Sequence, residues 1–304
     1  MLVRMARRRL LAFDLDQTIV TTDHELPVDI RDAIFRARAA GHGVVVLTGR
    51  PHAGALPILE QLQVDSHYSV NHGALVFGSG EQVLRRVRLP WEDVVRVLDP
   101  GFLNQGLEFS CVIDDTLYVR QPDDSRWSWA HTNNRRVDSF HFDLNMDADK
   151  VVFSSDSNPF NPDSSNLQSI AERLEADILA RHPHLVTYLW NNGYLEVTSQ
   201  GSDKGSALEL LAAELGFARE DTVAFGDGLN DLSMLSWAGH SVAVGPNAHA
   251  RVREVAREHI APPEQGGVRD WLESNLGVCA AAAQSMAKIH TPAETSSGAL
   301  SGDR

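Results

Sequence analysis

The apolar residues of this chain form short buried runs separated by stripes at helical spacing. The segment LLAFDLDQTIV at 10–20 begins as a buried strand, and VVVLT at 44–48 is a β-branched run that suits a second strand. Between them, the apolar residues of VDIRDAIFRARAAG recur at i, i+3, i+4 and i+7, which predicts a helix that ends at Gly41. Strand, helix and strand in this order predict a βαβ unit with parallel strands.

The same alternation returns near the C-terminal end of the chain. SDKGSALELLAAELG and NDLSMLSWAG predict helices, while TVAFGDG and SVAV predict strands. The middle of the chain differs, because EFSCVIDDTLYVR predicts an antiparallel hairpin, followed by further strands and one long amphipathic helix. Antiparallel strands with helices to one side are typical of an α+β unit.

These patterns together predict an α/β fold in which a Rossmann-like parallel sheet carries an inserted α+β unit. The predicted core domain comprises residues 10–80 and 194–275, and the insert comprises residues 81–193. We expect residues 1–9 to be a flexible leader. Residues 276–304 are rich in Ala, Ser, Thr and Gly without periodicity, so we expect a disordered tail.

Charge and composition narrow the classes of partner. The 304 residues include 27 Lys and Arg against 41 Asp and Glu, a formal net charge of -14, which argues against nucleic acid because phosphate backbones are bound by dense basic residues. No apolar run approaches the roughly 18 residues of a membrane span, so no membrane partner is expected. Cys111 and Cys279 offer no disulfide framework, which fits a reducing cytoplasm. We expect a cytoplasmic monomer or small homo-oligomer.

Two carboxylates follow the first predicted strand. Because side chains alternate along a strand, Asp14 and Asp16 project to the same side while Leu15 points away. The carboxyl end of a parallel strand is where open α/β sheets bind ligands, and a hard cation such as Mg2+ would neutralise the pair. A helix-capping aspartate beside a solvated turn is the simpler alternative.

Two further segments are candidates for phosphate binding. Thr48 ends a buried strand and Gly49 lets a ligand approach the backbone, although a plain strand-to-turn exit has the same pattern. Lys204 stands at the start of a predicted helix, where a cation opposes the helix dipole. A bound anion would explain that placement, and an exposed lysine would explain it equally well.

A last strand leads into the segment GDGLNDLSML. Asp227 stands at the end of this strand between two glycines, in the position that Asp14 has on its own strand. Asn230 and Asp231 open the next helix and could each be simple caps. A cap does not explain Asp227, because flanking glycines favour a tight turn beneath a ligand.

The segments FDLDQT, VVLTGR, SDKGSALELL and GDGLNDLSML, in this order, closely resemble the motifs of the haloacid dehalogenase (HAD) superfamily of phosphatases. The resemblance is to the Cof-like branch, which carries a large type-2 cap where this chain has its insert. It implies that Asp14 is the nucleophile, forming an aspartyl-phosphate, and that Asp16 is the general acid and then the general base.

The same resemblance implies the remaining roles in the site. Thr48, Gly49 and Lys204 would bind the transferring phosphoryl group with help from Asn230. Mg2+ would be held by Asp14, the backbone carbonyl of Asp16 and Asp227, and Asp231 would support these ligands from behind. Phosphoryl transfer needs alignment and charge neutralisation, which such groups supply.

Three residues depart from the family pattern or lie at its edge. Gln17 stands where many members have glycine, and His72 is an extra residue in NHGALVF, a segment usually reading Asn-Gly-Ala. For His72 we favour a hairpin turn over a substrate contact. Arg50 could touch the ligand or lie on the surface.

The expected function is therefore that of a Mg2+-dependent phosphomonoesterase acting on a small soluble organic phosphate, with a sugar phosphate as the first expectation. A phosphomutase of the same superfamily would share the aspartyl-phosphate step and return the phosphoryl group to its substrate. A catalytically silent phosphosugar-binding protein is the alternative from another class.

Overall fold

The computed structural model describes residues 7–98, 107–128, 130, 135–154, 165–190 and 193–278. Most of the predicted leader and tail, including Cys279, lies outside these residues. In the described part of the chain no helix could cross a bilayer, since those present are too short or too polar.

Fourteen strands lie in the described residues, and they are numbered in chain order. They are β1 Leu10–Phe13, β2 Gly43–Leu47, β3 Tyr68–Val70, β4 Leu75–Phe77, β5 Val83–Arg86, β6 Glu108–Ile113, β7 Thr116–Val119, β8 Val137–Ser139, β9 Lys150–Ser154, β10 Leu185–Leu189, β11 Leu195–Ser199, β12 Thr222–Gly226, β13 His240–Val244 and β14 Glu258–Ile260.

Eight α-helices lie in the same residues, joined by short 3-10 turns. They are α1 Val28–Ala39, α2 His52–Gln61, α3 Trp91–Val97, α4 Ser165–Arg181, α5 Lys204–Glu214, α6 Leu232–Trp237, α7 Ala250–Val255 and α8 Gly267–Leu276.

The larger of two sheets has the strand order β14-β13-β12-β1-β2-β3-β4-β5. Its strands are parallel from β14 to β3, and the last two are antiparallel to their neighbours. The predicted α/β fold with a parallel sheet is confirmed. From β1 the chain continues to β2 on one side, and its second half returns to β12 on the other. A ligand-binding crevice is expected at this switch, beyond the carboxyl ends of those three strands.

Helices cover both faces of the large sheet because side chains alternate along each strand. Leu11 and Phe13 point to the face covered by α1 and α8, and Phe13 stacks on Phe225 with ring centroids 4.8 Å apart. Leu10 and Ala12 point to the face covered by α5 and α6. All four residues of β1 are buried, so this strand is fixed from both sides before it reaches Asp14.

The smaller sheet has the order β10-β11-β9-β6-β7-β8 and is antiparallel except for the β7–β8 pair. Apolar residues of α4 pack on it, which gives the α+β pattern expected of the insert. The predicted antiparallel hairpin is formed by β6 and β7, with its turn at Asp114 and Asp115.

Strand pairing bears on where the insert begins and ends. The strand β5 pairs with β4 in the large sheet, although it follows residue 80. The strand β11 pairs with β9 and β10 in the small sheet, although it follows residue 194. The division into two domains stays a prediction, and the pairing favours boundaries after Arg86 and after Ser199.

Gly73 lies in the turn between β3 and β4, where that turn packs closely on the start of α5. Its φ is +99°, and a Cβ there would lie 2.2 Å from the backbone oxygen of Asp203, just before α5. Gly41 has a similar φ of +93° with nothing within 4 Å of the corresponding position.

We expect Gly73→Ala to destabilise the protein by about 2 kcal/mol more than Gly41→Ala, because both substitutions strain the backbone and only one adds a clash. Chemical denaturation of both variants measures the difference. Equal losses of unfolding free energy would show that the turn does not pack on α5 as described.

Candidate active site

Three neighbouring strands of the large sheet each end in a candidate site residue. Asp14 follows β1, Thr48 follows β2 and Asp227 follows β12. The backbone N–H of Asp14 donates to the Phe225 carbonyl at 3.1 Å, so the β1–β12 pairing extends to the carboxylate. Because parallel strands end at one edge, residues far apart in the sequence meet here.

Lys204, the first residue of α5, is completely buried, and its ammonium lies between two carboxylates. Its Nζ donates to Asp14 Oδ1 and to Asp231 Oδ1, both at 2.5 Å. Burial alone would lower the pKa of Lys204, but Asp14 and Asp231 raise it above its ordinary value. The exposed-lysine alternative is therefore wrong.

The start of α5 is held close to α6 by a glycine. The Gly205 N–H donates to Ser233 Oγ at 3.0 Å, and a Cβ on Gly205 would lie 2.7 Å from the Ser233 backbone oxygen. Asp203 caps α5 by accepting from the Ser206 N–H at 2.9 Å. These contacts fix the position from which Lys204 reaches Asp14.

Asp231 holds the loop that carries Asp227. Its Oδ2 accepts from the backbone N–H groups of Asp227 at 3.0 Å and Gly228 at 2.9 Å, while Oδ1 accepts from Lys204. Protein donors thus occupy both oxygens of Asp231. Asp227 is bound more lightly, with Thr18 Oγ1 donating to its Oδ1 at 3.2 Å.

Asp14, Asp227 and Asp231 form a carboxylate cluster whose ligand atoms lie within 4.8 Å of one another. Burial, with Asp231 and Asp16 nearby, raises the pKa of Asp14 to about 7 despite Lys204. Burial, Asp231 and Asp14 likewise raise the pKa of Asp227 well above its ordinary value. One lysine does not neutralise three carboxylates, of which Asp14 and Asp231 are buried and Asp227 is half-buried. The residues therefore fit a hard divalent cation such as Mg2+, with Asp14 and Asp227 as the available ligands.

Asp16 lies apart from this cluster and pairs with Arg50. Arg50 Nε donates to Asp16 Oδ2 at 2.9 Å, and its Nη2 donates to Oδ1. Burial would raise the pKa of Asp16, but the Arg50 contacts outweigh it and lower that pKa. The Asp16 side chain is 43% exposed against 7% for Asp14, so the two carboxylates occupy different environments.

Gln17 has a backbone reason to be unusual. Its φ is +58°, and its N–H donates to the Val20 carbonyl at 2.8 Å in the tight turn after Asp16. A left-handed φ favours glycine, so the backbone of this turn would be less strained with glycine than with Gln17. The Gln17 side chain is exposed, so it does not crowd the carboxylates.

Sequence reasoning missed two polar residues beside the site, Lys150 and Glu196, and the burial of a third, His72. His72 does lie in the turn between β3 and β4, but it is buried and contacts Asn230 on one side and Glu196 on the other. Lys150 at the start of β9 contacts both Glu196 and the Gly49 carbonyl. A charged residue at an inward-facing position of a strand is the sequence signal that could have singled out Lys150 and Glu196.

Comparison with known proteins agrees with this geometry. The family of haloacid dehalogenase-like hydrolases matches residues 11–272, and the chain belongs to that family. The HMP-PP phosphatase of Serratia proteamaculans (strain 568) is 27% identical over 273 residues, which cover 87% of this chain and 94% of that protein. The pyridoxal phosphate phosphatase YbhA of Escherichia coli (strain K12) is 26% identical over 279 residues, covering 88% and 98%.

A solved structure shows the same fold over most of the chain. It is described as the HAD subclass IIB sugar phosphatase BT4131, is 24% identical and has a TM-score of 0.72, covering 89% of this chain and 100% of its own. The family and the phosphatase class, both expected from the four motifs, are confirmed.

The raised pKa of Asp14 predicts a pH-dependent loss of stability in the metal-free protein. A carboxyl whose folded pKa is about 7 and whose unfolded value is 3.8 favours folding fully below the unfolded value. That contribution disappears as the pH rises through about 7.

We therefore expect Asp14→Asn to gain stability relative to the wild type as the pH rises across this interval, by about 2–4 kcal/mol in total. Denaturation of both proteins in chelator at several pH values measures it. A difference that does not change with pH would contradict the assignment of a protonated, buried Asp14.

Proposed function

We propose that this phosphatase hydrolyses a small phosphorylated metabolite by way of an aspartyl-phosphate on Asp14, with Mg2+ bound. The observation that carries the proposal is the contact of Lys204 Nζ with Asp14 at 2.5 Å, beside a second buried carboxylate. Positive charge at this point would draw the phosphoryl oxygens toward the carboxylate that attacks.

Asp14 is suited to be the nucleophile because its position is fixed and because a cation bound beside it would keep it ionised without a base. Lys204 engages Oδ1, which leaves the second carboxylate oxygen for phosphorus. A bond from that oxygen to phosphorus forms as the bond to the leaving oxygen breaks. Water then attacks the aspartyl-phosphate, which releases inorganic phosphate and restores Asp14.

Asp16 would donate a proton to the leaving oxygen and then accept one from the attacking water. Its partial exposure allows proton exchange with solvent. Because Arg50 lowers its pKa, the Asp16–Arg50 pair has to open before Asp16 can carry the proton. We propose that it opens when a phosphate ester enters, since the ester offers Arg50 another anion.

The remaining residues would bind the metal and the phosphoryl oxygens. Mg2+, when bound, neutralises the carboxylates and the phosphoryl charge. Asp14, Asp227 and the Asp16 carbonyl would hold it, while Asp231 keeps the Asp227 loop in place through two backbone N–H groups. The strand-end position of Thr48 and the amide of Asn230 suit contacts with the phosphoryl group.

Relatives support the substrate class. Two related proteins are named for HMP-PP and for pyridoxal phosphate, both small phosphorylated compounds. A sugar phosphate stays the first expectation within that class, and a cytoplasmic location stays a prediction from cysteine use. No observation favours the phosphomutase or the silent binding protein.

We expect Asp14→Asn to lower phosphate release from p-nitrophenyl phosphate at least about a thousandfold while keeping the fold, because only the nucleophile is lost. The matched control is Asp65→Asn, an exposed aspartate before β3 at the opposite edge of the sheet. Wild-type rates in Asp14→Asn would overturn the mechanism. Isomer formation without phosphate release by the wild type would favour a mutase.

We expect Asp227→Asn to raise the Mg2+ concentration for half-maximal activity by about tenfold or more, since one of few charged ligands is removed. A magnesium titration of phosphate release measures it, with Asp65→Asn again as the control. An unchanged requirement would exclude Asp227 as a ligand.

A further inference from the structure

Four buried polar side chains connect the small sheet to two loops at the candidate active site. Lys150 and Glu196 lie on β9 and β11 of the small sheet, while His72 and Asn230 lie on loops of the large sheet. We call them the junction chain. Each is at least nine-tenths buried, so every hydrogen bond among them replaces contacts with water.

The bonds of the junction chain run in one order. Lys150 Nζ donates to Glu196 Oε2 and, at 3.3 Å, to the Gly49 carbonyl. Glu196 Oε2 lies 3.0 Å from His72 Nε2, and His72 Nδ1 lies 3.3 Å from Asn230 Nδ2. The junction chain thus runs from the loop that carries Gly49 to the loop that carries Asn230, and both residues are candidates for phosphate binding.

The chemistry of these groups fixes the direction of each bond. Lys150 and His72 outweigh the effect of burial and hold the pKa of Glu196 at about 2, so Glu196 only accepts. Burial lowers the pKa of His72, so its ring is neutral and carries its one proton on Nε2, facing Glu196. Nδ1 is then an acceptor, and Asn230 must turn its amide N–H toward it.

Packing restricts the imidazole of His72 and the amide of Asn230 to this arrangement. The ring of Tyr188, from the small sheet, stacks on His72 with centroids 4.3 Å apart. A Cβ on Gly49 would lie 2.4 Å from the imidazole, so only glycine leaves room for the ring at that position. A Cβ on Gly228 would lie 2.6 Å from Asn230 Oδ1, so that glycine makes room for the amide oxygen.

We propose that His72 is a positioning residue, which orients the Asn230 amide for the transferring phosphoryl group and ties that orientation to the small sheet through Glu196 and Lys150. This rests on the proposed function, in which Asn230 contacts the phosphoryl group.

Two substitutions separate the two bonds of His72. In His72→Asn the side-chain oxygen takes the place of Nδ1 and still accepts from Asn230, and asparagine tolerates the φ of +57° at this position. In His72→Gln the amide takes the place of Nε2 and still donates to Glu196, but the acceptor for Asn230 is lost.

The matched control is His42→Gln. His42 is also buried, and its Nδ1 also accepts a hydrogen bond, from the Arg9 N–H at 3.2 Å. It precedes β2, at the edge of the sheet opposite the site. Its replacement removes the same kind of bond without touching Asn230.

Calorimetric binding of inorganic phosphate in the presence of Mg2+ is the readout. We expect His72→Gln to weaken binding about tenfold, the effect of one lost hydrogen bond, and His72→Asn and His42→Gln to bind within about threefold of the wild type. The KM for p-nitrophenyl phosphate should rise in parallel while kcat changes little.

Equal phosphate affinity in His72→Gln and the wild type would overturn the inference, as would equal losses in the two His72 variants. If the variants do not fold, nitrogen NMR of the wild-type imidazole decides, and a proton on Nδ1 rather than Nε2 contradicts the proposal. A wild type that binds phosphate but releases none from any ester would instead refute the proposed function.

Discussion

The buried contact between Lys204 and Asp14 is the interaction on which the rest of the site depends. Taking a carboxylate and an ammonium out of water costs several kcal/mol for each ion, and a single removed partner leaves an uncompensated charge. The structure offsets this cost with two carboxylates on one ammonium, each at 2.5 Å. A surplus of negative charge remains in the cluster and favours the binding of a cation. The raised pKa values of Asp14 and Asp227 reflect this surplus.

Much of the surrounding structure holds these charged groups in fixed positions. The strand β1 is buried on both faces, α5 begins at Lys204, and Gly205 lets α5 approach the backbone of Ser233. Both carboxylate oxygens of Asp231 accept hydrogen bonds from protein donors, and two of these donors lie in the loop of Asp227, which is thereby fixed. Asp16, by contrast, is 43% exposed and paired with Arg50, and this exposure suits a group that exchanges protons.

The sequence alone was sufficient to predict the positions of the site residues that lie at the ends of strands. Alternation along β1 and the ends of three buried strands located Asp14, Thr48 and Asp227, whereas the unfavourable dipole position of Lys204 left a bound anion and an exposed side chain equally open. The family resemblance joined them into one site. Gln17 was noticed as a departure, but its cause, a φ of +58°, is a property of the turn that residue identity does not reveal.

The junction chain could not be predicted in the same way. His72 lies 124 residues from Glu196 in the sequence, and Lys150 lies 46 residues from it. No local period connects such positions, and their meeting depends on how the small sheet sits on the loops. The strands β5 and β11 show the same limit, because pairing with distant strands decides which sheet each one joins.

The claim that Asp14 attacks phosphorus is tested most directly by stereochemistry. A p-nitrophenyl phosphorothioate ester made chiral with oxygen isotopes, hydrolysed in isotopically labelled water, reports how many displacements occur at phosphorus. Transfer to Asp14 and then to water is two in-line displacements, so the account predicts retention of configuration. Inversion would mean that water attacks the ester directly, and would contradict it.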